Sequence, residues 1–300
     1  MMPAAVEAMR PHQWVKNLLV LAPLAFTPKG LSLDPAAWSA AALAFAAFCL
    51  AASSIYLLND LVDREEDARH PKKRHRPIAS GRLGVGAARL QLLLQVAATA
   101  GAAALVPPHA GVPFVVWPAA YLLLNLLYSF RLKRLVIVDC MCIALGFQLR
   151  VMAGAAAIDV AASHWLLLCT FFFALFLAFC KRYEELARQS EATGRTRATM
   201  AEYTDSFLSM MIGPLAALSI LTYSLYTVSP DTVKTHGTDK LMFTVPFVTY
   251  GVFRYLFLVY RRSEGGDPAR LLFRDVPLLV SGAGYAALVV VILRTAGAHG

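Results

Sequence analysis

The sequence predicts an all-α protein, a polytopic membrane bundle of about nine transmembrane helices forming one domain over residues 1–300. Composition is the first reason: 58% of the 300 side chains are hydrophobic, against 28 basic and 19 acidic ones. Soluble domains run nearer half apolar and a quarter charged. The second reason is the recurrence of apolar runs close to the ~20 residues that a helix needs to cross a hydrocarbon core. The third is that basic residues gather between alternate runs. Together these exclude a disordered chain, a disulfide-rich secreted module and a soluble nucleic-acid binder. The bilayer is the expected partner, and no nucleic acid is.

The runs extend from Trp14 to Phe26, Ala36 to Leu58, Leu90 to Val106, Val112 to Tyr128, Leu135 to Ile158, Trp165 to Cys180, Phe207 to Val228, Leu241 to Tyr260 and Val276 to Leu293. The first is short and carries Pro23, although Pro11 is well placed to open a helix just before it. It begins with Trp14, Lys16 and Asn17 and lacks a small-residue cleavage pattern, so it is expected to remain as a helix rather than be removed as a signal peptide. Abundant Ala and Gly through the runs suit close helix packing in lipid. The five cysteines, Cys49, Cys140, Cys142, Cys169 and Cys180, fall in or beside runs at spacings of neither a zinc site nor a redox pair, and read as small packing residues.

Loops that stay in the cytoplasm keep an excess of Lys and Arg. With the N-terminus inside, 23 of the 28 basic residues fall on that side: Arg10 and Lys16, then clusters within 64–89, 131–134, 181–197 and 254–274. Lys29, Lys234, Lys240 and Arg294 fall on the other, and Arg150 lies within a run. The expectation is a multi-pass protein of the cell (inner) membrane, N-terminus cytoplasmic and C-terminus outside.

Function points to one helix end. From Ser53 to Asp67 an apolar helix runs into charge without a turn residue, and the helix is expected to continue to about Arg69, where Pro71 disfavours helix at His70. On such a helix Asn59, Asp63 and Asp67 share a face, Asp60 stands beside Asp63, and Tyr56 lies one turn earlier. Aligned carboxylates and an amide oxygen suit Mg²⁺, with magnesium diphosphate as the natural ligand. The plain alternative is a solvated helix end whose acids offset Arg64 and Arg69. The next segment, His70 to Arg82, is a basic loop shaped by Pro71, Pro77 and Gly81, whose Lys72, Arg74 and Arg76 would clamp phosphate. For any one of them, contact with anionic lipid heads is the competing reading.

The pattern Asn59-Asp60-x-x-Asp63-x-x-x-Asp67, followed by Lys72, Arg76-Pro77 and Ser80-Gly81, resembles the first signature of the UbiA superfamily of intramembrane prenyltransferases. Four further segments, Arg10 to Asn17, Tyr128-Ser129-x-x-Leu132-Lys133, Phe147-x-Leu149-Arg150-x-x-Ala153-Gly154 and Lys181 to Leu186, are similar to its decaprenyl-phosphate phosphoribosyltransferase branch over almost the whole chain. Prenyl-transferring members carry a second aspartate-rich motif where this chain has Lys181-Arg182-Tyr183-Glu184-Glu185. The resemblance implies a UbiA-like bundle that transfers ribose 5-phosphate from phosphoribosyl diphosphate to a polyprenyl phosphate such as decaprenyl phosphate. Diphosphate would be released, with Mg²⁺ as cofactor, in the supply of a lipid-linked arabinose donor for cell-wall arabinan. Asn59, Asp60, Asp63 and Asp67 would hold the metal, with Asp60 and Asp63 central to turnover, and Lys72, Arg74 and Arg76 would face the leaving group.

The remaining polar residues carry expectations of their own, since ionisable groups inside a membrane are functional candidates. Lys16 and Asn17 stand at the cytoplasmic end of the first run, with Lys16 assigned to a phosphate and snorkelling as its rival. Tyr128 and Lys133 are candidates for the ribose or its 5-phosphate. Asp139 and Arg150 share a helix face but lie ~16 Å apart, too far to pair. Arg150 is expected on a buried phosphate or a carboxylate of another helix, and Asp139 as a counter-ion. Lys181 and Arg182 would take the donor's second phosphate, with Tyr183 and Glu184 also substrate-binding candidates; whether Glu184 and Glu185 orient the cations or bind ribose stays open. Tyr203, Asp205, Arg254, Arg274 and Asp275 are secondary candidates. A UbiA-type enzyme prenylating an aromatic acceptor is the nearest rival. A transporter or lipid flippase is the rival of another class, against which stand the absence of an inverted repeat and the crowding of charge at one surface. Oligomeric state stays open, a homo-oligomer included.

Overall fold

The computed structural model describes residues 3–25, 27, 34–71, 73–109, 111–189, 202–262, 271 and 274–297. All nine apolar runs are helical through most of their described length, and no strand occurs among the described residues. Among the described residues six helices are long and apolar enough to cross a membrane: Pro35–Val62, Val138–Ala157, His164–Ala187, Asp205–Val228, Lys240–Arg261 and Val276–Ala296. The chain is therefore an integral, multi-pass, all-α membrane protein. The expected count of about nine is not reached on this measure, because the other three runs are shorter or more polar. The first forms a 3₁₀ helix, Pro11–Leu21, opened by Pro11 as expected, and one helical turn, Ala22–Ala25. A 3₁₀ helix rises ~2.0 Å per residue, so its 11 residues cover ~22 Å. The third, Val85–Ala104, carries Arg89, Gln91 and Gln95, and the fourth, Val116–Phe130, has 15 residues.

The chain divides into two compact units, Met1–Phe130 with Leu149–Ala162, and Arg131–Gln148 with Ser163–Gly300. The first contains α1 (Ala4–Met9), the 3₁₀ helix, α2 (Pro35–Val62), α3 (Arg64–Arg69), α4 (Val85–Ala104), α5 (Val116–Phe130) and the end of α6 (Val138–Ala157). Asp34 caps α2 by accepting the Ala36 N–H, with Pro35 in the first turn, where its missing donor costs nothing. α2 then packs against α1, the 3₁₀ helix, α4 and α5. Its buried face is mostly small, with Ala44, Ala47, Ala51 and Ala52 around Phe48, which lets neighbouring backbones come close. Gly154 of α6 marks the tightest approach: a Cβ there would lie 1.9 Å from the Val20 carbonyl oxygen.

The second unit contains the start of α6, α7 (His164–Gln189), α8 (Asp205–Val228), α9 (Pro230–His236), α10 (Val245–Arg262) and α11 (Val276–Gly297). Thr204 caps α8 by accepting the Phe207 N–H. α8 packs against both α7 and α10, and α10 against α11, around Phe176, Phe179, Leu208, Ile212, Tyr255 and Leu258. Large apolar side chains such as Leu93 and Leu94 on α4 and Val290 and Val291 on α11 point outward, as lipid-facing surfaces require. All five cysteines are free, in keeping with their reading as packing residues.

Candidate active site

The acidic segment departs from one straight helix. α2 stops at Val62, Asp63 takes φ −88° and ψ 8°, and α3 resumes at Arg64. Hydrogen bonds bridge the break, from Asp63 N–H to the Asn59 carbonyl at 2.8 Å and from Asp67 N–H to the Asp63 carbonyl at 2.8 Å. The end at Arg69 with His70 extended is as the following proline dictates. The bend breaks the expected row of Asn59, Asp63 and Asp67. Asp60 and Asp67 are instead the buried pair, 2% and 1% exposed, while Asn59 and Asp63 are half-buried.

Cations close this pair. Arg76 Nη1 donates to Asp60 Oδ1 at 3.1 Å and to Asp67 Oδ2 at 2.5 Å, and Lys73 Nζ lies 3.6 Å from Asp67 Oδ1. Arg10, which drew attention in the sequence only as part of a motif, donates from Nη2 to Asp60 Oδ1 at 2.5 Å and sits 5.0 Å from the centre of the Tyr56 ring. Of the basic loop, then, Arg76 reaches the acids, where the sequence reading set it against phosphate. Arg74 does not: it is exposed and donates to His75 at 3.4 Å. Lys72 lies outside the described residues. Gly81 turns the loop with φ +78°, and Arg82 ties it to α1 through two bonds to Glu7, at 2.7 and 2.9 Å.

Asn17 and Arg150, 133 positions apart in sequence, meet in the same unit. Arg150 Nε donates to Asn17 Oδ1 at 2.8 Å and Nη2 to the Tyr121 hydroxyl at 2.9 Å, with the guanidinium 4.7 Å from the Tyr121 ring centre. Asn17 is fully buried and donates to Cys49 Sγ at 3.4 Å, whereas Lys16 is half-buried. Arg150 thus meets an amide and a phenol of the protein. A sequence pattern cannot supply that pairing, because it depends on where the 3₁₀ helix crosses α6. Tyr128, at the end of α5, is half-buried.

In the second unit Lys181 and Arg182 have different surroundings. Arg182 is 1% exposed: Nε donates to Asp139 Oδ2 at 2.7 Å and Nη1 to Glu185 Oε2. Tyr203 donates to Asp139 Oδ1 at 2.8 Å and accepts the N–H of Ile137, a β-branched residue held at φ 67°. Burial pushes the Tyr203 phenol up from its ordinary range, so it stays a donor. The expected role of Asp139 as a counter-ion is met, and its cation is Arg182. Lys181 is half-buried, with Nζ 3.9 Å from Glu185 Oε1. Glu184 is buried, Tyr183 packs on the Tyr260 ring at 5.0 Å, and Lys133 is half-buried in the turn Leu132–Arg134. Arg254 pairs with Asp275 at 2.8 and 3.1 Å.

Residues 20–275 match the UbiA prenyltransferase family. The chain belongs to that family. A decaprenyl-phosphate phosphoribosyltransferase of Mycolicibacterium smegmatis is 39% identical over 279 residues, covering 90% of this chain and 86% of the relative. One of Corynebacterium glutamicum is 34% identical over 290 residues, covering 95% and 85%. A solved UbiA homolog from Archaeoglobus fulgidus bound to GPP and Mg²⁺ superposes with a TM-score of 0.71 at 18% identity, over 97% of this chain and 99% of that one. That likeness establishes a UbiA fold.

Whether this UbiA-family chain has donors for such a metal is a question for its own oxygens. Asp60 Oδ2 and Asp67 Oδ1 are buried without a hydrogen-bond partner, and hard carboxylate oxygens of this kind are what Mg²⁺ takes. The donor chemistry fits. No group of three or more His, Cys, Asp or Glu is gathered for a metal among the described residues, and guanidinium groups lie on the other carboxylate oxygens.

Proposed function

We propose that this UbiA-family chain transfers the 5-phosphoribosyl group of phosphoribosyl diphosphate to decaprenyl phosphate or a similar polyprenyl phosphate, releasing diphosphate. The observation that carries the reaction type is the buried Asp60–Asp67 pair, each acid keeping one oxygen without a hydrogen-bond partner while guanidinium groups cover the other, and with Lys73 Nζ 3.6 Å from the open Asp67 oxygen. Support for the donor comes from the phosphoribosyltransferase relatives at 34% and 39% identity, and from Lys181 and Arg182 standing where a second aspartate motif would serve a prenyl diphosphate.

Asp60 and Asp67, with Asn59 and Asp63 beside them, are the residues that would hold Mg²⁺. A bound divalent ion supplies Lewis-acid neutralisation of a departing diphosphate. The protein's own groups do the rest. Arg76 and Arg74, with Lys72, add positive charge for the leaving group as it gains charge. The C1–O bond to diphosphate breaks as a lipid phosphate oxygen forms the new bond to C1, and an oxocarbenium-like state lies between. The lipid phosphate is already ionised at neutral pH, so no general base is required. Lys181 binds the donor's 5-phosphate, with Arg182, Tyr183 and Glu184 shaping that helix end. Lys16, Tyr128 and Lys133 are further phosphate and ribose contacts, and Asn17, Tyr56 and Arg150 hold the walls in place. We infer one catalytic domain over residues 1–300, in keeping with a family match that runs through both units. We also infer a cytoplasmic-face active site in the cell membrane and a product feeding cell-wall arabinan synthesis.

The test is the purified protein with magnesium, labelled phosphoribosyl diphosphate and polyprenyl phosphates of several lengths, products identified by mass. A labelled polyprenyl phosphoribose is expected. Consumption of a prenyl diphosphate with an aromatic acceptor, and no labelled lipid from the ribosyl donor, would replace this reading with the prenyltransferase one.

A further inference from the structure

Arg10 is held over the acidic pair by more than its one ion pair. It sits between α1 and the 3₁₀ helix at φ 53° and ψ 59°, a left-handed conformation that a residue with a Cβ adopts only where its surroundings over-determine it. The surroundings do so here. Ser53, fully buried on α2, donates to the Met9 carbonyl at 3.0 Å and accepts from Trp14 Nε1 at 3.0 Å, so the residues on both sides of Arg10 are stapled to one point of α2. Ser53, Tyr56 and Asp60 lie on one face of that helix by their spacing. The guanidinium lies over the Tyr56 ring and ends on Asp60 Oδ1.

The oxygens of the pair are divided. Asp60 Oδ1 accepts from both Arg10 and Arg76, and Asp67 Oδ2 accepts from Arg76. Asp60 Oδ2 and Asp67 Oδ1 are buried and have no hydrogen-bond partner. Groups that hydrogen-bond to a metal-ligating carboxylate fix its rotation and charge, and their removal typically costs about 10- to 100-fold in metal affinity. A buried carboxylate also carries a desolvation penalty that a neighbouring guanidinium offsets. We propose that Arg10 is a positioning residue of the metal site, holding the Asp60 carboxylate with Oδ1 turned to the arginines and Oδ2 presented to a divalent cation. The inference rests on the metal reading proposed above and assigns the cation no contact with Arg10 itself.

Mn²⁺ binding to the full-length, detergent-purified protein, measured by electron paramagnetic resonance without ribosyl donor or lipid, tests this apart from turnover. Arg10→Met should raise the Mn²⁺ Kd by about 10- to 100-fold. Arg10→Lys, which keeps the charge but loses the planar fork, should fall between that variant and the wild type. If Arg10→Met fails to give a monodisperse protein, Arg10→Lys decides, and wild-type affinity in it overturns the proposal. Unchanged or tighter Mn²⁺ binding by Arg10→Met overturns it too, the tighter case meaning that the arginine competes with the metal. Unchanged Mn²⁺ affinity with a raised KM for phosphoribosyl diphosphate would make Arg10 a substrate contact instead. Absence of Mn²⁺ binding in the wild type would sink the metal reading itself, and Arg10's role with it, whereas the other failures leave that reading standing.

Discussion

Asp60 and Asp63 look equivalent in the sequence, yet Asp60 and Asp67 are the acids that the fold buries and bridges through Arg76. Asp60→Asn and Asp67→Asn should each lower turnover by about 10²-fold or more, the scale on which one directed electrostatic contact contributes to a charged transition state. Asp63→Asn should cost less; equal losses in all three would restore the straight row of acids. Lys181 and Arg182 separate in the same way. Arg182→Met leaves Asp139 as a buried, uncompensated charge, a change that typically costs about 3–5 kcal/mol, and should appear as a lower unfolding temperature. Lys181→Ala should leave that temperature unchanged and raise the KM for phosphoribosyl diphosphate. An unchanged KM and turnover for that donor would end the 5-phosphate assignment.

α1 and the basic loop are joined by Glu7 and Arg82, and the hydrogen bond from Arg82 holds the Glu7 carboxyl below its ordinary range. A depressed carboxylate pKa means that the contact stabilises the fold above the unfolded-state value and is lost as pH falls through the folded-state value. Protection of the α1 amides against exchange, taken relative to the intrinsic rate at each pH, should therefore be high at neutral pH and fall in acid, and Glu7→Gln should show little protection at either. A pH-independent α1 in the wild type would show that the tie does not hold the helix. At the crossing of α6 and the 3₁₀ helix, Gly154→Ala drives a methyl to 1.9 Å from the Val20 carbonyl oxygen. Backbone must move, at a cost of the ~1–3 kcal/mol usual for overpacking, and thermal unfolding in detergent measures it. Gly284→Ala meets only the Phe247 ring edge at 2.7 Å, a side chain that can turn aside, and should cost less.

Across the whole molecule the distribution of charge sets the expected orientation, with 23 of the 28 basic residues in the segments assigned to the cytoplasmic side. With all nine apolar runs crossing, an N-terminal tag should be cytoplasmic and a C-terminal reporter external. Both on one side would remove a crossing, and Pro11–Ala25 is the first candidate, being a 3₁₀ helix and a single turn rather than a full-length span. The helical architecture was readable because a bilayer demands long apolar runs and leaves a composition that no soluble fold shares. The number of full-length spans was less so, since apolarity does not reveal where a run adopts 3₁₀ geometry or tolerates Arg89 and two glutamines.

Residue identities alone determined the helical membrane class and the acidic helix end, which follow from hydropathy, charge and short spacings along one chain, and the resemblance of the motifs pointed to the family. Tertiary structure decided the bend at Asp63, the Arg150–Asn17 contact across 133 positions, the burial of Arg182 on Asp139 and the reach of Arg10. Those depend on backbone angles and helix crossings, where a few degrees at one residue move a guanidinium several ångströms, and no linear pattern encodes that displacement.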